Sequence, residues 1–152
     1  MIRVALDTNI LAYVVGVDHH PEDFPKIEAS RDVLGRFDEQ VVLVAPMQVL
    51  GELFNVLTRS GATREEARRI VLGMADRFAI AESTTASFMS AFDLATTHKM
   101  QVWDALILNV AAEAGCALLL SEDMGDGFAW RGTVVVNPLA GQPNERLRRL
   151  LT

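Results

Sequence analysis

The chain has 152 residues, half of them apolar, a net charge of −6 and one cysteine. That balance excludes a disordered polymer, and the lone Cys116 excludes an internal disulfide and reads as a small buried hydrophobe in a reducing compartment. No charged segment leads into a long apolar stretch and no run approaches the ~20 residues needed to span a bilayer, so a single cytoplasmic domain over residues 1–152, with no membrane partner, is expected.

Residues 2–6 read as a strand, and Thr8–Val15 as a helix that follows at once. Residues 16–27 carry Gly, two Pro and several charges and read as a loop, before a polar helix from Glu28 to Glu39. Val41–Ala45 is a second apolar run of strand length, and Pro46 suits the first turn of a helix that continues to Arg59. Thr63 and Glu66 have capping-box spacing, and Ala67, Ile70, Val71, Met74 and Phe78 give the next helix one apolar stripe. Ala79–Glu82 reads as a short strand, and Ser83 or Thr84 caps a helix that buries Phe88, Ala91, Phe92 and Ala95. Val102–Ala114 is apolar almost all round, which marks a helix packed on several sides, ended by Gly115. Ala117–Leu120 and Thr133–Val136 are two further apolar runs, separated by the loop SEDMGDG, and Asn144–Leu151 forms a last helix with three arginines. Short all-apolar strands alternating with helices predict a mainly parallel sheet covered on both faces. In such sheets ligands bind beyond the carboxyl ends of the strands.

Those ends carry acids. Asp7 follows the first strand, Glu52 lies in the helix after the second, Asp104 opens the most apolar helix, and Asp123 and Asp126 follow the third long apolar run. Each has a plain structural alternative: Asp7 as an N-cap, Asp104 as a partner of its helix dipole, Asp123 and Asp126 as Asx-turn residues. Glu52 belongs to a polar lane of Gln48, Glu52, Asn55 and Arg59, spaced four, three and four, which suits either a site or a solvated face. Taken together they point to a metal site, because carboxylates gathered in one place repel and a divalent cation resolves the repulsion. Oxygen donors without a cysteine or histidine cluster favour Mg²⁺ or Mn²⁺ over Zn²⁺. Bound cations would also reconcile a net charge of −6 with a phosphate-bearing substrate. His19 and His20, in the irregular loop, and His98, at a helix end, read as surface residues, and no phosphate-loop or dinucleotide motif is present.

DTNILAY at 7–13, Glu52 within PMQVLGELFNVL, WDALILNVA at 103–111 and LLLSEDMGDG at 118–127 together resemble the PIN-domain ribonucleases, in particular VapC-type toxins of bacterial toxin–antitoxin pairs. The resemblance implies a three-layer α/β/α sandwich and Mg²⁺- or Mn²⁺-dependent endonuclease activity on RNA, often a structured RNA such as tRNA. It assigns Asp7, Glu52 and Asp104 to the core acids and leaves Asp123, Asp126 or both as the acid after the third strand. Thr8, Asn9 and Ser121 match supporting polar positions. A small antitoxin partner and a homodimer are also implied. On this expectation one or two Mg²⁺ ions, held by Asp7, Asp104 and the 123/126 pair, activate water for in-line attack and leave a 5′ phosphate. Glu52 takes part directly or through water, and Arg59 or the arginines at 146–149 hold the RNA backbone or are simply solubilising. The competing readings are a non-catalytic module that keeps the fold and an acidic-pocket phosphatase with Asp7 as nucleophile; the second lacks a partner lysine and has Asn9 where its second aspartate would stand.

Overall fold

The computed structural model describes residues 1–17 and 20–152, so the surface placement expected for His19 falls outside the described residues. Strand β1 (Ile2–Leu6) is the centre of the sheet. It pairs in parallel with β2 (Val41–Pro46) on one side, Val4 opposite Leu43, and with β4 (Leu118–Leu120) on the other, Leu6 opposite Leu120. Beyond β2 lies β3 (Ala79–Ala81), and beyond β4 lies β6 (Thr133–Val136), both parallel. The two-residue β5 (Ala129–Trp130) closes that edge antiparallel to β6, giving the order β3-β2-β1-β4-β6-β5. Val4 to Leu6, Leu118 to Leu120 and Val134 to Val136 are buried at every successive residue. Alternate side chains point to opposite faces of a strand, so unbroken burial requires helices on both faces.

Those helices are α1 (Thr8–Val15), α2 (Phe24–Gly35), α3 (Met47–Arg59), α4 (Arg64–Arg77), α5 (Thr85–His98), α6 (Val102–Glu113) and the short α7 (Glu145–Arg148). α5 packs along α6, and α1 lies against α2 and α3. α6 is buried from Ala105 to Val110 without a break. Its one polar core residue, Asn109, donates to the Ser87 carbonyl at 2.9 Å and accepts from Trp130 Nε1 at 3.1 Å, which ties α6 to α5 and β5. Thr63 and Glu66 form the capping box expected at the start of α4.

Three elements differ clearly from the sequence expectation, and the first of them, α2, also ends at Gly35, four residues before the expected Glu39. α2 begins at Phe24, four residues before Glu28, behind a 3₁₀ turn over Pro21–Asp23. Pro21 and Pro25 each sit in a first turn, where the missing N–H is no loss, so the prolines that suggested a loop start helices instead. Pro46 is the last residue of β2, its ψ of 137° still extended. α7 covers four residues, because the chain then turns so that Leu151 bridges Phe37. Among the described residues no helix is long and apolar enough to cross a membrane.

Candidate active site

The chain winds from β1 outward to β2 in one direction and from β4 outward to β6 in the other, so a crevice opens beyond the carboxyl ends of β1 and β4. Asp7 stands there as the residue after β1. The Asp7 N–H donates to the Leu120 carbonyl at 2.9 Å, continuing the β1–β4 ladder by one step. Its carboxylate is both a helix cap and a buried acid: Oδ1 accepts from the Thr8 N–H at 2.7 Å and Oδ2 from the Ser121 hydroxyl at 2.8 Å. The capping role and the site role thus coincide.

Four acids from four separate stretches line one cavity of about 470 Å³: Asp7, Glu52, Asp104 and Asp123. Glu52 is oriented by two donors, the Thr8 hydroxyl at 2.5 Å and Gln48 Nε2 at 3.1 Å. Asp123 is held by Asn9 Nδ2 at 2.6 Å, and its own N–H and that of Met124 both reach Ser121 Oγ at 3.3 Å. Gln48, Glu52, Asn55 and Arg59 of the polar lane of α3 all line the cavity, with Arg59 its one basic residue, and Asn55 and Arg59 are also exposed to solvent. Asp126 stands elsewhere. Its Oδ1 accepts from the Asn137 N–H at 3.0 Å, and it does not border this cavity. A larger groove of about 820 Å³ runs along α4 between Glu65, Arg68 and Arg69 and contains none of the four acids.

Burial raises the Asp7 carboxyl to about 6, against the lowering effect of its bonds to Ser121 and Thr8, with repulsion from Asp104 and Glu52 adding to the rise. Asp104, half-buried, is also raised, first by burial and then by Glu52 and Asp123. The negative charge of the site is therefore under-compensated by the protein alone. Hard oxygen donors with uncompensated charge fit a small divalent cation. Among the described residues no group of three or more acidic, histidine or cysteine side chains is placed to hold a metal ion by itself. Mg²⁺ is usually held by one or two carboxylates and completes its shell with water and substrate phosphate oxygens.

One supporting group escaped the sequence reading. Tyr13 in α1 donates its hydroxyl to Glu122 Oε1 at 3.0 Å, and Lys26 in α2 pairs with Glu122 Oε2 at 2.8 Å, which anchors the loop one residue before Asp123. The only signal was Glu122 itself, next to Asp123; nothing marked its two partners. His20 and His98 are exposed, as expected, and Cys116 is buried.

No curated protein sequence matches the chain. Among solved structures, the fold is similar to that of VapC20 of Mycobacterium tuberculosis, described as a sarcin–ricin loop cleaving toxin, with TM-score 0.63, 17% identity, and coverage of 79% of this chain and 89% of that one. A toxin–antitoxin complex from Klebsiella pneumoniae gives TM-score 0.64 at 18% identity over 89% of this chain and 97% of that one. VapBC-1 from nontypeable Haemophilus influenzae gives 0.59 at 20% identity, covering 80% and 87%. The PIN domain profile matches residues 4–125, from β1 through the loop that carries Asp123, and the chain therefore belongs to the PIN-domain family.

Proposed function

We propose that this protein is a divalent-metal-dependent endoribonuclease and the toxin of a toxin–antitoxin pair. The observation that carries the reading is the meeting of Asp7, Glu52, Asp104 and Asp123 in one cavity with Arg59 on its wall. Asp7, Asp104 and Asp123 would hold Mg²⁺ or Mn²⁺, with Glu52 reaching it directly or through water. A metal bound there would lower the pKa of a water and neutralise charge on the scissile phosphate.

The protein's own part is orientation. Ser121 and the Thr8 N–H fix both oxygens of Asp7, Thr8 and Gln48 fix Glu52, and Asn9 fixes Asp123. Groups held this way need no rearrangement when charge develops. Arg59 is placed to receive a phosphate oxygen. Asp126 is assigned a structural role, as the acceptor that caps Asn137. A structured RNA such as tRNA remains the proposed substrate class.

Partners follow from the solved relatives, two of which are toxin–antitoxin assemblies. A small antitoxin is proposed to cover the acid cavity, and a homodimer is proposed as well. Exposed apolar side chains support partner binding: Trp103 on the cavity rim is 47% exposed and Phe92, expected on the buried side of its helix, is 46% exposed, both edge-to-face with Phe88.

The test is cleavage of total RNA by purified protein in Mg²⁺ or Mn²⁺, followed by analysis of the fragment ends. New ends with 5′ phosphates, abolished by chelator and by Asp104→Asn, are expected. Undiminished cutting by Asp104→Asn would refute the assignment.

A further inference from the structure

Beside the acid cavity lies a second cleft, of about 440 Å³, that shares Asp104 and Asp123 with it and is otherwise lined in part by His98, Lys99, Gln101 and Phe128. We propose that this cleft is a nucleotide subsite in which the unpaired RNA next to the cut phosphate stacks on His98 and Phe128 and is held through its phosphates by Lys99 and Arg131. The inference rests on the ribonuclease reading and deepens it.

Continuity is the first argument. Asp104 and Asp123 border both spaces, so a strand leaving the acid cavity on this side passes directly into the cleft.

The second argument is a row of rings bounded by cations. His98 stands edge-to-face with Phe128 at 5.1 Å and with Trp130 at 6.0 Å, and Arg131 lies over the Trp130 ring at 4.8 Å. Trp130 is pinned from behind by its bond to buried Asn109. Rings held in place beside positive side chains are what single-stranded nucleic acid uses, because every base offers a stacking face and every phosphate a charge. Neither Lys99 nor Arg131 is ion-paired among the described residues.

The third argument is backbone conformation. Among the described residues only two other than glycine have positive φ, Lys99 at 54° and Arg131 at 46°. The fold needs a left-handed turn at both places, at the end of α5 and in the β5–β6 hairpin, and glycine would make each turn without strain. Both positions carry a long cation despite the strain. Strained backbone tends to persist where the side chain it carries has a function.

The same feature makes the test clean, since glycine at these positions removes the charge and relieves the backbone together. Binding of a short fluorescent oligoadenylate is titrated in EDTA, where no cutting occurs, for the parent, Lys99→Gly/Arg131→Gly, His98→Ala and the control Arg77→Ser. Arg77 ends α4, next to β3, which is the sheet edge opposite β5. The double variant is expected to bind at least tenfold more weakly, with thermal stability equal or higher. Its salt dependence should be shallower by about 1.4, at ~0.7 for each single-strand phosphate that the protein no longer neutralises. His98→Ala should bind about fivefold more weakly and Arg77→Ser like the parent. A double variant that binds like a parent that cuts and binds RNA overturns the subsite and leaves the ribonuclease reading intact. A parent that neither cuts RNA in Mg²⁺ or Mn²⁺ nor binds the oligonucleotide overturns both.

Discussion

Asp7 concentrates the cost of the site in one carboxyl. Its pKa in the folded chain is about 6, above its ordinary 3.8, so the fold favours the protonated form. Stability from this group is complete below the ordinary value and is lost as pH rises through about 6. At pH 7 the ionised carboxylate costs on the order of 2–3 kcal/mol, at 1.36 per unit. Asp7→Asn removes the charge at nearly constant shape. In EDTA at pH 7 the variant should melt about 4–12 °C above the parent, taking ~2–4 °C per kcal/mol for a domain of this size, and the gain should vanish near pH 4. Cleavage should be lost at the same time. A lower melting temperature for Asp7→Asn at pH 7 would show that burial does not destabilise the ionised acid. Ser121→Ala should act in the opposite sense. The hydroxyl it deletes serves Asp7, Asp123 and Met124 together, and buried groups left unsatisfied cost about 1–3 kcal/mol, measurable by urea denaturation.

At the scale of elements, the loop after β4 is held to α1 and α2 by Tyr13 and Lys26 through Glu122. Lys26 is part-exposed, so its ion pair contributes little, whereas the Tyr13 hydroxyl meets a mostly buried carboxylate. Tyr13→Phe should therefore cost only about 1 kcal/mol of stability, yet lower cleavage several-fold by loosening the neighbour of Asp123; equal rates for parent and variant would limit Glu122 to a purely structural role. This network also marks where sequence reading stops. β1, β4 and β6 are legible because strands covered on both faces must be apolar at every residue, and the polar lane of α3 is legible as one face because spacings of three and four keep Gln48, Glu52, Asn55 and Arg59 on one side, though not whether that face borders a cavity. Tyr13 and Lys26 meet Glu122 only through the packing of three elements, which no local pattern encodes. β5 is equally silent: two residues have no period, and the strand exists because β6 offers an edge to pair with. Asp126 looked equivalent to Asp123 since both lie in one Gly-bearing loop, and only the fold shows one carboxylate bordering the cavity and the other accepting from Asn137.

For the molecule as a whole, a net charge of −6 and the proposed polyanionic substrate are compatible only if charge is distributed and partly supplied from solution. The four acids collect at one place, and a cation that binds them in the native state and not in the unfolded chain must raise stability by RT ln(1 + [M]/Kd), about 2.7 kcal/mol at a hundredfold excess over Kd. Millimolar Mn²⁺ at pH 7.5 should thus raise the parent's melting temperature by several degrees. Carboxylate ligands must be deprotonated to bind, and Asp7 protonates near 6, so the same addition at pH 5 should give a much smaller rise. The parent thereby acquires two opposite pH trends: without metal it gains stability from Asp7 as pH falls through 6, and with metal it loses stabilisation over the same interval. Asp7→Asn should show neither trend from this group. A differential scanning series across pH, with and without Mn²⁺, reads both at once, and parallel curves for parent and variant would mean that the acids of this cavity do not act as a cation site.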